Sequence, residues 1–275
     1  MNKIGTIFLL FPFLLQAQDA DLFSLTNTAK YARYLLNAGD YSQAIPELNR
    51  LVFFDGENLE YQFQLINCYR HTYNYSLAIK RMDALFSGFN NMPERFAKEY
   101  ITCNILDENY DHTISLLSGS VENNLEYKPF YLSYSYIMTE QYYKAEDLLA
   151  QSSNTWDPEI RLKASLKAYR DEKAKKPAVA FALSSIIPGS GKIYTGNWKD
   201  GLMAFSFVAI SAWQSYRGFK KNGVTSVYGW AYGVASLSFY IGNLYGSVKA
   251  ANVYNVRKRE IFQENAQDIF MRAVY

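Results

Sequence analysis

Hydrophobic and polar positions recur with helical spacing through the first half of the chain. Segments such as LEYQFQLINCYRH and SQAIPELNRLVFF carry apolar residues three and four positions apart, the spacing of one face of an α-helix. Short turns at Gly39-Asp40 and at Tyr73-Asn74 separate these segments. The pattern therefore predicts an all-α fold assembled from pairs of helices.

The helix pairs repeat along the chain. The segments GDYSQAIPEL, YNYSLAIKRM, ENYDHTISLL and EQYYKAEDLL each place a small residue three positions after a Tyr. Successive tyrosines lie 34, 35 and 32 positions apart, and the pairs are Tyr41/Ala44, Tyr75/Ala78, Tyr110/Thr113 and Tyr142/Ala145. Because a Tyr fills the space between two helices and a small residue lets them approach closely, we expect one packing arrangement in every unit.

This period and pattern resemble those of tetratricopeptide repeats, over residues 22–155. The resemblance implies a helical repeat solenoid whose concave face binds a peptide or another protein. Carried over to this sequence, the groove-facing positions are Arg33, Asn67, Arg70, Thr102, Tyr127 and Tyr134. The alternative is that these residues only solvate the surface or pack between repeats.

After residue 155 the pattern changes twice. Residues 156–176 predict a capping helix that begins at Asp157-Pro158 and ends in a basic stretch. Residues 177–255 are rich in Gly and aromatic residues, and they predict a Gly-rich transmembrane helical hairpin with arms at 201–216 and 224–248. A shorter apolar segment before the arms is expected to be re-entrant or interfacial. The alternative is a buried helical hairpin of a water-soluble domain.

Two features of this hairpin predict its packing and its orientation. Small residues four apart favour close helix packing in lipid and offer a face for a homo-oligomer. Two such GxxxG pairs are present: Gly229, Gly233, Gly242 and Gly246. The loop between the arms contains Arg217, Lys220 and Lys221, and a basic loop is expected on the cytoplasmic side.

The segment IIPGSGKIYTG looks at first like a phosphate-binding loop. It fails the P-loop pattern at both ends, because Ile186 and Ile193 stand where that motif requires Gly and a hydroxyl residue. We instead predict a tight turn at a membrane surface. The residues assigned to this turn are Pro188, Gly189, Gly191, Tyr194 and Gly196.

A second resemblance concerns the C-terminal part of the chain. PGSGKIYTGNWKDGL, WQSYRGFKKNG and YIGNLYGSVKAANVYN together resemble the small C-terminal membrane module of uncharacterised bacterial envelope proteins with N-terminal tetratricopeptide-like repeats. This resemblance covers residues 177–255, with a PGxGxxYxG motif, and implies an architecture without an established activity. Residues 256–275 predict an amphipathic helix that packs on the repeats or lies along the membrane.

The N-terminus predicts export. Residues 1–17 combine one Lys, an apolar run and a small Ala17, as a secretory signal peptide does; cleavage after Ala20 is the alternative. Together with the hairpin, this predicts a protein of the bacterial inner membrane with its repeats in the periplasm; the alternative is the outer membrane. In that compartment Cys68 and Cys103 are either two buried thiols or a disulfide.

Composition and charge mainly exclude classes of function. A formal charge of +2 over 275 residues identifies no charged partner, and nucleic acid is not expected. His71 and His112 are isolated and no HExxH or CxxC motif occurs, so no enzyme activity, metal or cofactor is predicted.

The pattern as a whole favours a membrane-tethered scaffold whose exported repeats bind a protein or peptide, in cell-envelope or membrane-protein biogenesis. Its second expected partner is membrane lipid. The alternative is an oligomeric membrane module that moves or senses lipid or solute, with the repeats as gate or sensor.

Overall fold

A computed structural model of the protein describes residues 24–119, 127–153 and 155–275. The signal peptide predicted at 1–17 lies outside these ranges. Within them the protein contains thirteen α-helices and two short 3₁₀ turns, with no strand. The prediction of an all-α fold is therefore confirmed. The chain divides into two units, Met1–Asn109 and Tyr110–Tyr275, which are described separately.

The first unit is a succession of helices, each packed on the next. They are α1 (Leu25–Ala38), α2 (Tyr41–Phe54), α3 (Leu59–His71), α4 (Tyr75–Leu85) and α5 (Glu94–Leu106). The core between α1, α2 and α3 is apolar and contains Ala32, Leu35, Leu48, Leu51 and Leu65. Its helices are amphipathic, with the apolar face turned inward, as the sequence spacing predicts.

The second unit contains two classes of helix. The last helices of the repeat region come first, α6 (Tyr110–Gly119), α7 (Lys128–Met138) and α8 (Tyr142–Gln151), followed by α9 (Asp157–Asp171) at the place of the predicted capping helix. The remaining helices are α10 (Pro177–Ile186), α11 (Ser190–Tyr194), α12 (Trp198–Asn222) and α13 (Val227–Val274). We call residues 177–255, which contain α10 to α12 and the first part of α13, the C-terminal module.

Helices α1, α3, α5 and α7 end in the same way, which gives the sequence repeat a structural meaning. One or two positions after each helix, a residue adopts the left-handed conformation, and its N–H donates to the carbonyl three residues back at 3.0–3.1 Å. The next N–H donates to the carbonyl five residues back at 2.8–2.9 Å. A helix end with these two hydrogen bonds is the Schellman motif. The left-handed residues are Gly39, Tyr73, Glu108 and Glu140, with φ between 60° and 77°.

The repeated Tyr and small residue occupy equivalent places in the described units. Each of the four tyrosines is the first residue of α2, α4, α6 or α8. The small residues three positions later are fully buried at 0% exposure: Ala44, Ala78, Thr113 and Ala145. The period seen in the sequence thus corresponds to a repeated helix-turn-helix geometry.

Helix α13 is a single helix of 48 residues. Its first part packs along α10, α11 and α12, and its last part packs on α7 and α9. Phe262 stacks on Tyr169 and Phe270 stacks on Tyr134, both with ring centroids 4.4 Å apart. The boundary predicted between 177–255 and 256–275 therefore falls inside one continuous helix, because no Pro or Gly interrupts that stretch.

Candidate functional site: a module with an apolar exterior and a polar interior

The outer surface of the C-terminal module is strongly apolar. Ile210 and Trp213 on α12 and Val234 on α13 are each about 60% exposed. Further large side chains share this exposure, including Phe181, Leu183, Ile186, Leu202, Met203, Phe205, Phe207, Leu237, Phe239 and Ile241. Large exposed apolar surfaces are typical of sites that contact another protein or a membrane.

The interior of the same module is polar. Ser184, Ser211, Ser215, Asn243 and Ser247 are all buried. The Oγ atoms of Ser184 and Ser247 lie 2.7 Å apart and join α10 to α13. Ser215 Oγ donates to the Gly229 carbonyl at 2.8 Å and joins α12 to α13. Small residues and hydrogen bonds between helices are the usual means of helix association in lipid.

Glycines let the first three helices of the module touch backbone to backbone. Gly189 has a φ of +88°, and a Cβ atom placed there would lie 2.0 Å from the Gly201 carbonyl oxygen. A Cβ on Gly191 would lie 2.1 Å from the Ala180 carbonyl oxygen. The Gly191 N–H donates to Ser184 Oγ at 2.9 Å. The segment PGSGKIYTG therefore contains the closely packed turn between α10 and α11, followed by α11 itself.

The turn between α11 and α12 repeats the corner found in the repeats. Gly196 is left-handed, with a φ of +87°, and the Asn197 N–H donates to the Lys192 carbonyl at 2.9 Å. Thr195 Oγ donates to the same carbonyl at 2.8 Å, as Thr139 Oγ after α7 donates to the Tyr136 carbonyl, which also accepts from the Gln141 N–H. Trp198 then begins α12, and the small Gly201 three positions later is buried.

The four predicted GxxxG glycines have different surroundings. Gly229 faces the Phe219 ring, and a Cβ on Gly233 would meet Ser215 Oγ at 3.1 Å, so both lie against α12. Gly246 lies against the Lys192 side chain. At Gly242, no atom of the described chain lies within 4 Å of the position that a Cβ would take.

Two other residues of the predicted turn lie at the edge of the module. Tyr194 Oη accepts a hydrogen bond from the Lys176 N–H at 3.3 Å, and the Lys175 ammonium lies 4.8 Å from its ring centroid. Pro188 is half-buried beside Gly189. Tyr194 thus joins the basic start of α10 to α11.

Most of the residues predicted to line a peptide groove are buried or form contacts with other residues of the protein. Arg33 is exposed and Asn67 is half-buried, whereas Arg70 and Thr102 are buried. Arg70 Nε donates to Glu99 at 2.6 Å, and its second guanidinium nitrogen donates to Asn67 Oδ1 at 3.0 Å. Of this group, the structure brings together Asn67 and Arg70.

The two groove residues in the second unit are also buried. Tyr127 packs edge-on against Tyr131, with ring centroids 5.4 Å apart. Tyr134 is covered by Phe270 of α13. This part of the expected binding surface is therefore in contact with the protein's own last helix.

The buried ion pair in the first unit has unusual electrostatics. Burial raises the pKa of Glu99, and the charge of Arg70 opposes that rise. Cys68 and Cys103 are free, buried thiols. Burial raises the pKa of Cys68 to about 12 and raises the pKa of Cys103 further. Neither thiol is therefore activated as a nucleophile.

Metal binding and membrane crossing each need a recognisable arrangement of residues. No group of three or more His, Cys, Asp or Glu side chains in the described residues is placed to hold a metal ion. None of the described helices is both long enough and apolar enough to cross a membrane. The transmembrane placement of the hairpin formed by α12 and α13 remains a prediction.

Sequence reasoning missed the polar interior. Ser184, Ser247 and Asn243 were not singled out, because contacts between residues about 60 positions apart have no local sequence signal. The one sequence feature that could have indicated these residues is their place as polar Ser and Asn within otherwise apolar helices.

Comparison with protein-family models gives no match, and comparisons with curated proteins and with solved structures give none either.

Proposed function

We propose that the protein is a membrane-attached interaction scaffold. The C-terminal module contacts lipid through its apolar exterior, and the repeat helices present a surface to a protein or peptide partner. The single observation that carries this proposal is the inverted arrangement of the module, with apolar side chains outside and hydrogen-bonded serines inside. In water this arrangement is unfavourable, whereas in lipid it is the expected one.

The distribution of aromatic and charged residues supports attachment to lipid. Trp198, Trp213 and Trp230 are each more than half exposed, and such rings favour the boundary between lipid and water. Lys220 and Lys221 lie in the last turn of α12. Helix α12 would extend about 38 Å, since an α-helix rises about 1.5 Å per residue. The finer form of the proposal is the predicted hairpin in the inner membrane, with the repeats in the periplasm.

The first unit supports the interaction half of the proposal. Phe53 is 84% exposed at the end of α2 and packs edge-on against the exposed Phe54. On α1, Tyr31 and Tyr34 are exposed and stack on each other with centroids 6.4 Å apart. Exposed aromatic pairs of this kind are frequent anchors at protein interfaces.

Membrane attachment is tested by changing the apolar exterior. The full chain is expressed as the wild type, as Ile210→Lys with Val234→Lys, and as a control, Ile160→Lys. Ile160 lies on α9 outside the module and is 50% exposed, close to the exposure of Ile210. A Lys in the middle of a lipid-embedded helix costs about 2.5–3.5 kcal/mol, so the paired substitution should release the protein from membranes.

The readout is flotation with phospholipid vesicles and resistance to alkaline extraction. We expect the wild type and the control to float and the double variant to stay at the bottom of the gradient. A wild type that fails to float, or a double variant that floats unchanged, would remove the basis of the proposal.

Topology is tested by single exposed cysteines at Asn90 and Asn222, labelled with a membrane-impermeant maleimide from outside the inner membrane. Because Cys68 and Cys103 are buried with raised pKa values, they can remain in place, and the unsubstituted protein is the background control. Labelling at Asn90 alone supports an inner-membrane hairpin with exported repeats. Labelling at both positions contradicts a crossing hairpin.

The oligomeric alternative receives less support from the described packing. Gly229 and Gly233 already lie against α12, and Gly246 lies against Lys192. Only Gly242 among these four leaves an open helix face, and a single Gly provides little of a GxxxG interface.

A further inference from the structure

A pocket of about 330 Å³ lies between α11, α12 and α13 of the C-terminal module. Lys192 comes from α11, and Asp200 comes from the first turn of α12. Asn243 contributes from α13, and Met203, Phe207 and Phe239 form apolar walls. Sites for small organic molecules combine apolar walls with a few polar groups in this manner.

Asn243 is the first reason to assign a ligand to this pocket. The residue is only 3% exposed, yet neither its Oδ1 nor its Nδ2 atom has a hydrogen-bond partner in the described part of the chain. Ser247, one turn later, donates to the backbone carbonyl of Asn243 and leaves the side-chain amide unsatisfied. Buried side-chain amides are nearly always paired, so a missing partner is expected at this position.

The charges of the pocket are the second reason. Lys192 contributes a cation and Asp200 an anion, and neither forms an ion pair with another described residue. The Lys192 side chain lies against Gly246, where a Cβ atom would be 3.5 Å from Nζ. The pocket therefore presents opposite charges near an amide that can both donate and accept.

The apolar walls continue into the exterior of the module. Met203, Phe207 and Phe239 line the pocket and are also about half exposed. A ligand whose polar end fills the pocket could therefore extend an apolar chain along the surface already assigned to lipid. This combination favours an amphiphile over a small soluble metabolite.

We propose that this pocket binds the headgroup of a zwitterionic phospholipid of the phosphoethanolamine class. The phosphate pairs with Lys192, the primary ammonium donates to Asp200, and the Asn243 amide bonds to either group. The acyl chains lie along Met203, Phe207 and Phe239. This inference rests on the proposed contact of the module with lipid, and it adds headgroup selectivity to it.

Competing headgroups fit the pocket less well for stated chemical reasons. A phosphocholine group has no N–H to donate to Asp200, although it carries the same net charge. A phosphoglycerol group has no cation, so Asp200 would have no positive partner while its carboxylate lies near the lipid phosphate. Selectivity for phosphoethanolamine is therefore the distinctive consequence of the proposal.

The experiment measures lipid retention by the full-length protein in detergent. Native mass spectrometry is recorded with equal amounts of phosphatidylethanolamine, phosphatidylcholine and phosphatidylglycerol that have identical acyl chains. We expect phosphatidylethanolamine to be retained about tenfold more than the other two, since one charge-assisted hydrogen bond changes binding by about that factor. Equal retention of the three lipids would overturn the proposal.

Variants link the selectivity to the pocket. Asp200 is exposed, and Asp200→Asn should abolish the preference over phosphatidylglycerol, whereas Lys192→Met should weaken retention of all three lipids. Asn243→Leu should reduce phosphatidylethanolamine retention about tenfold. The control is Lys199→Met, a neighbouring cation that does not line the pocket. An unchanged preference in Asp200→Asn together with unchanged retention in Lys192→Met, both measured as folded proteins, would contradict the assignment even if Asn243→Leu failed to fold.

Two further measurements distinguish a failure of the headgroup assignment from a failure of the proposed membrane attachment. Displacement of the bound lipid by water-soluble glycerophosphoethanolamine at a similar concentration would show that the chains are not recognised, and would overturn the assignment to a lipid. Flotation of the same protein with phosphatidylcholine vesicles reports membrane contact alone. If flotation succeeds and selectivity is absent, the pocket assignment fails while the proposed attachment stands. If flotation fails and selectivity persists, the attachment fails and the headgroup site stands.

Discussion

The repeats and the C-terminal module use the same helix-turn-helix corner but place their apolar residues on opposite sides. In the first unit, Leu35, Leu48 and Leu65 are buried in the core. In the module, Ile210 and Val234 face outward, while Ser184 and Ser247 are buried. Because the corner after α11 has the same hydrogen bonds as the corners of the repeats, the geometry of this corner does not distinguish the two regions. The side-chain distribution does, and the lipid contact proposed for the module would account for it.

The close backbone contact in the module gives the largest predicted effect. Gly189→Ala places a Cβ 2.0 Å from the Gly201 carbonyl oxygen at a left-handed position, so α10, α11 and α12 cannot keep their packing. We expect a loss of at least about 5 kcal/mol, or no folded module. Gly196→Ala is the matched control, because it has nearly the same φ and no neighbour within 4 Å. It should cost only about 1–2 kcal/mol.

Thermal unfolding in detergent, with limited proteolysis of the module, measures both variants. Similar losses of unfolding free energy in Gly189→Ala and Gly196→Ala would mean that the left-handed backbone conformation alone, and not the backbone contact, determines the cost of the substitution. The backbone contact would then not distinguish the module from the repeats.

The Arg70–Glu99 pair tests how the repeats bury polar groups. Arg70→Met leaves the Glu99 carboxyl buried without its partner and should destabilise the protein by about 3–5 kcal/mol. The double variant Arg70→Met with Glu99→Leu should recover most of that loss, since no buried charge remains. Denaturant unfolding measures this recovery. A double variant as unstable as the single one would show that the pair holds the helices by more than its charge.

The pH dependence of this pair has a defined sign. Because burial raises the pKa of Glu99 above its ordinary 4.5, its contribution to stability is full below about pH 4.5 and falls as the pH rises through the raised pKa. Removal of Arg70 raises that pKa further. In Arg70→Met, the free energy of unfolding should therefore fall over a wider pH range than in the wild type, as measured between pH 4 and 8.

Much of the repeat geometry could be predicted from local spacing, whereas the module could be predicted only in outline. The Tyr and small-residue pattern located the corners at Tyr41, Tyr75, Tyr110 and Tyr142, because a helix start is encoded within a few residues. The same corner at Trp198 escaped notice, since Trp replaces Tyr and Gly201 replaces Ala. A pattern of residue types cannot reveal that two different pairs fill the same space.

The features that local spacing could not predict depend on tertiary contacts. Tyr134 was expected to face a groove, but Phe270, more than 130 positions later, covers it. No local pattern shows that α13 continues to Val274 and brings Phe270 there. Likewise, Asn243 lay within a predicted apolar arm, and only the packing of α11 and α12 around it makes it part of a pocket.

The serines of the module give a smaller predicted effect. Ser184→Ala removes the bond to Ser247 and leaves the buried Gly191 N–H without its acceptor, so we expect a loss of about 1–3 kcal/mol. Ser135→Ala in α7 is the control, because Ser135 Oγ donates to a carbonyl of its own helix. That substitution should be nearly neutral. Equal losses of unfolding free energy in the two variants would show that a buried serine bonded between helices contributes no more than one bonded within its own helix.

The smallest predicted effect concerns the corners themselves. The module uses Gly189 and Gly196 at its left-handed positions, whereas three repeat corners use residues with side chains. Glu108 has a φ of 60° and belongs to no ion pair of the described chain, so Glu108→Gly relieves an unfavourable conformation. We expect a stabilisation of about 0.5–1 kcal/mol after the greater entropy of Gly in the unfolded chain is included.

The reverse substitution, Gly39→Ala, should destabilise the first corner by a similar amount, since nothing lies within 4 Å of the added Cβ. Opposite shifts of the unfolding midpoint in these two variants would show that the repeat corners differ only in local conformational energy. If Glu108→Gly instead lowered the midpoint, the Glu108 side chain would be contributing a stabilising interaction, and the corners would not be equivalent despite their shared hydrogen bonds.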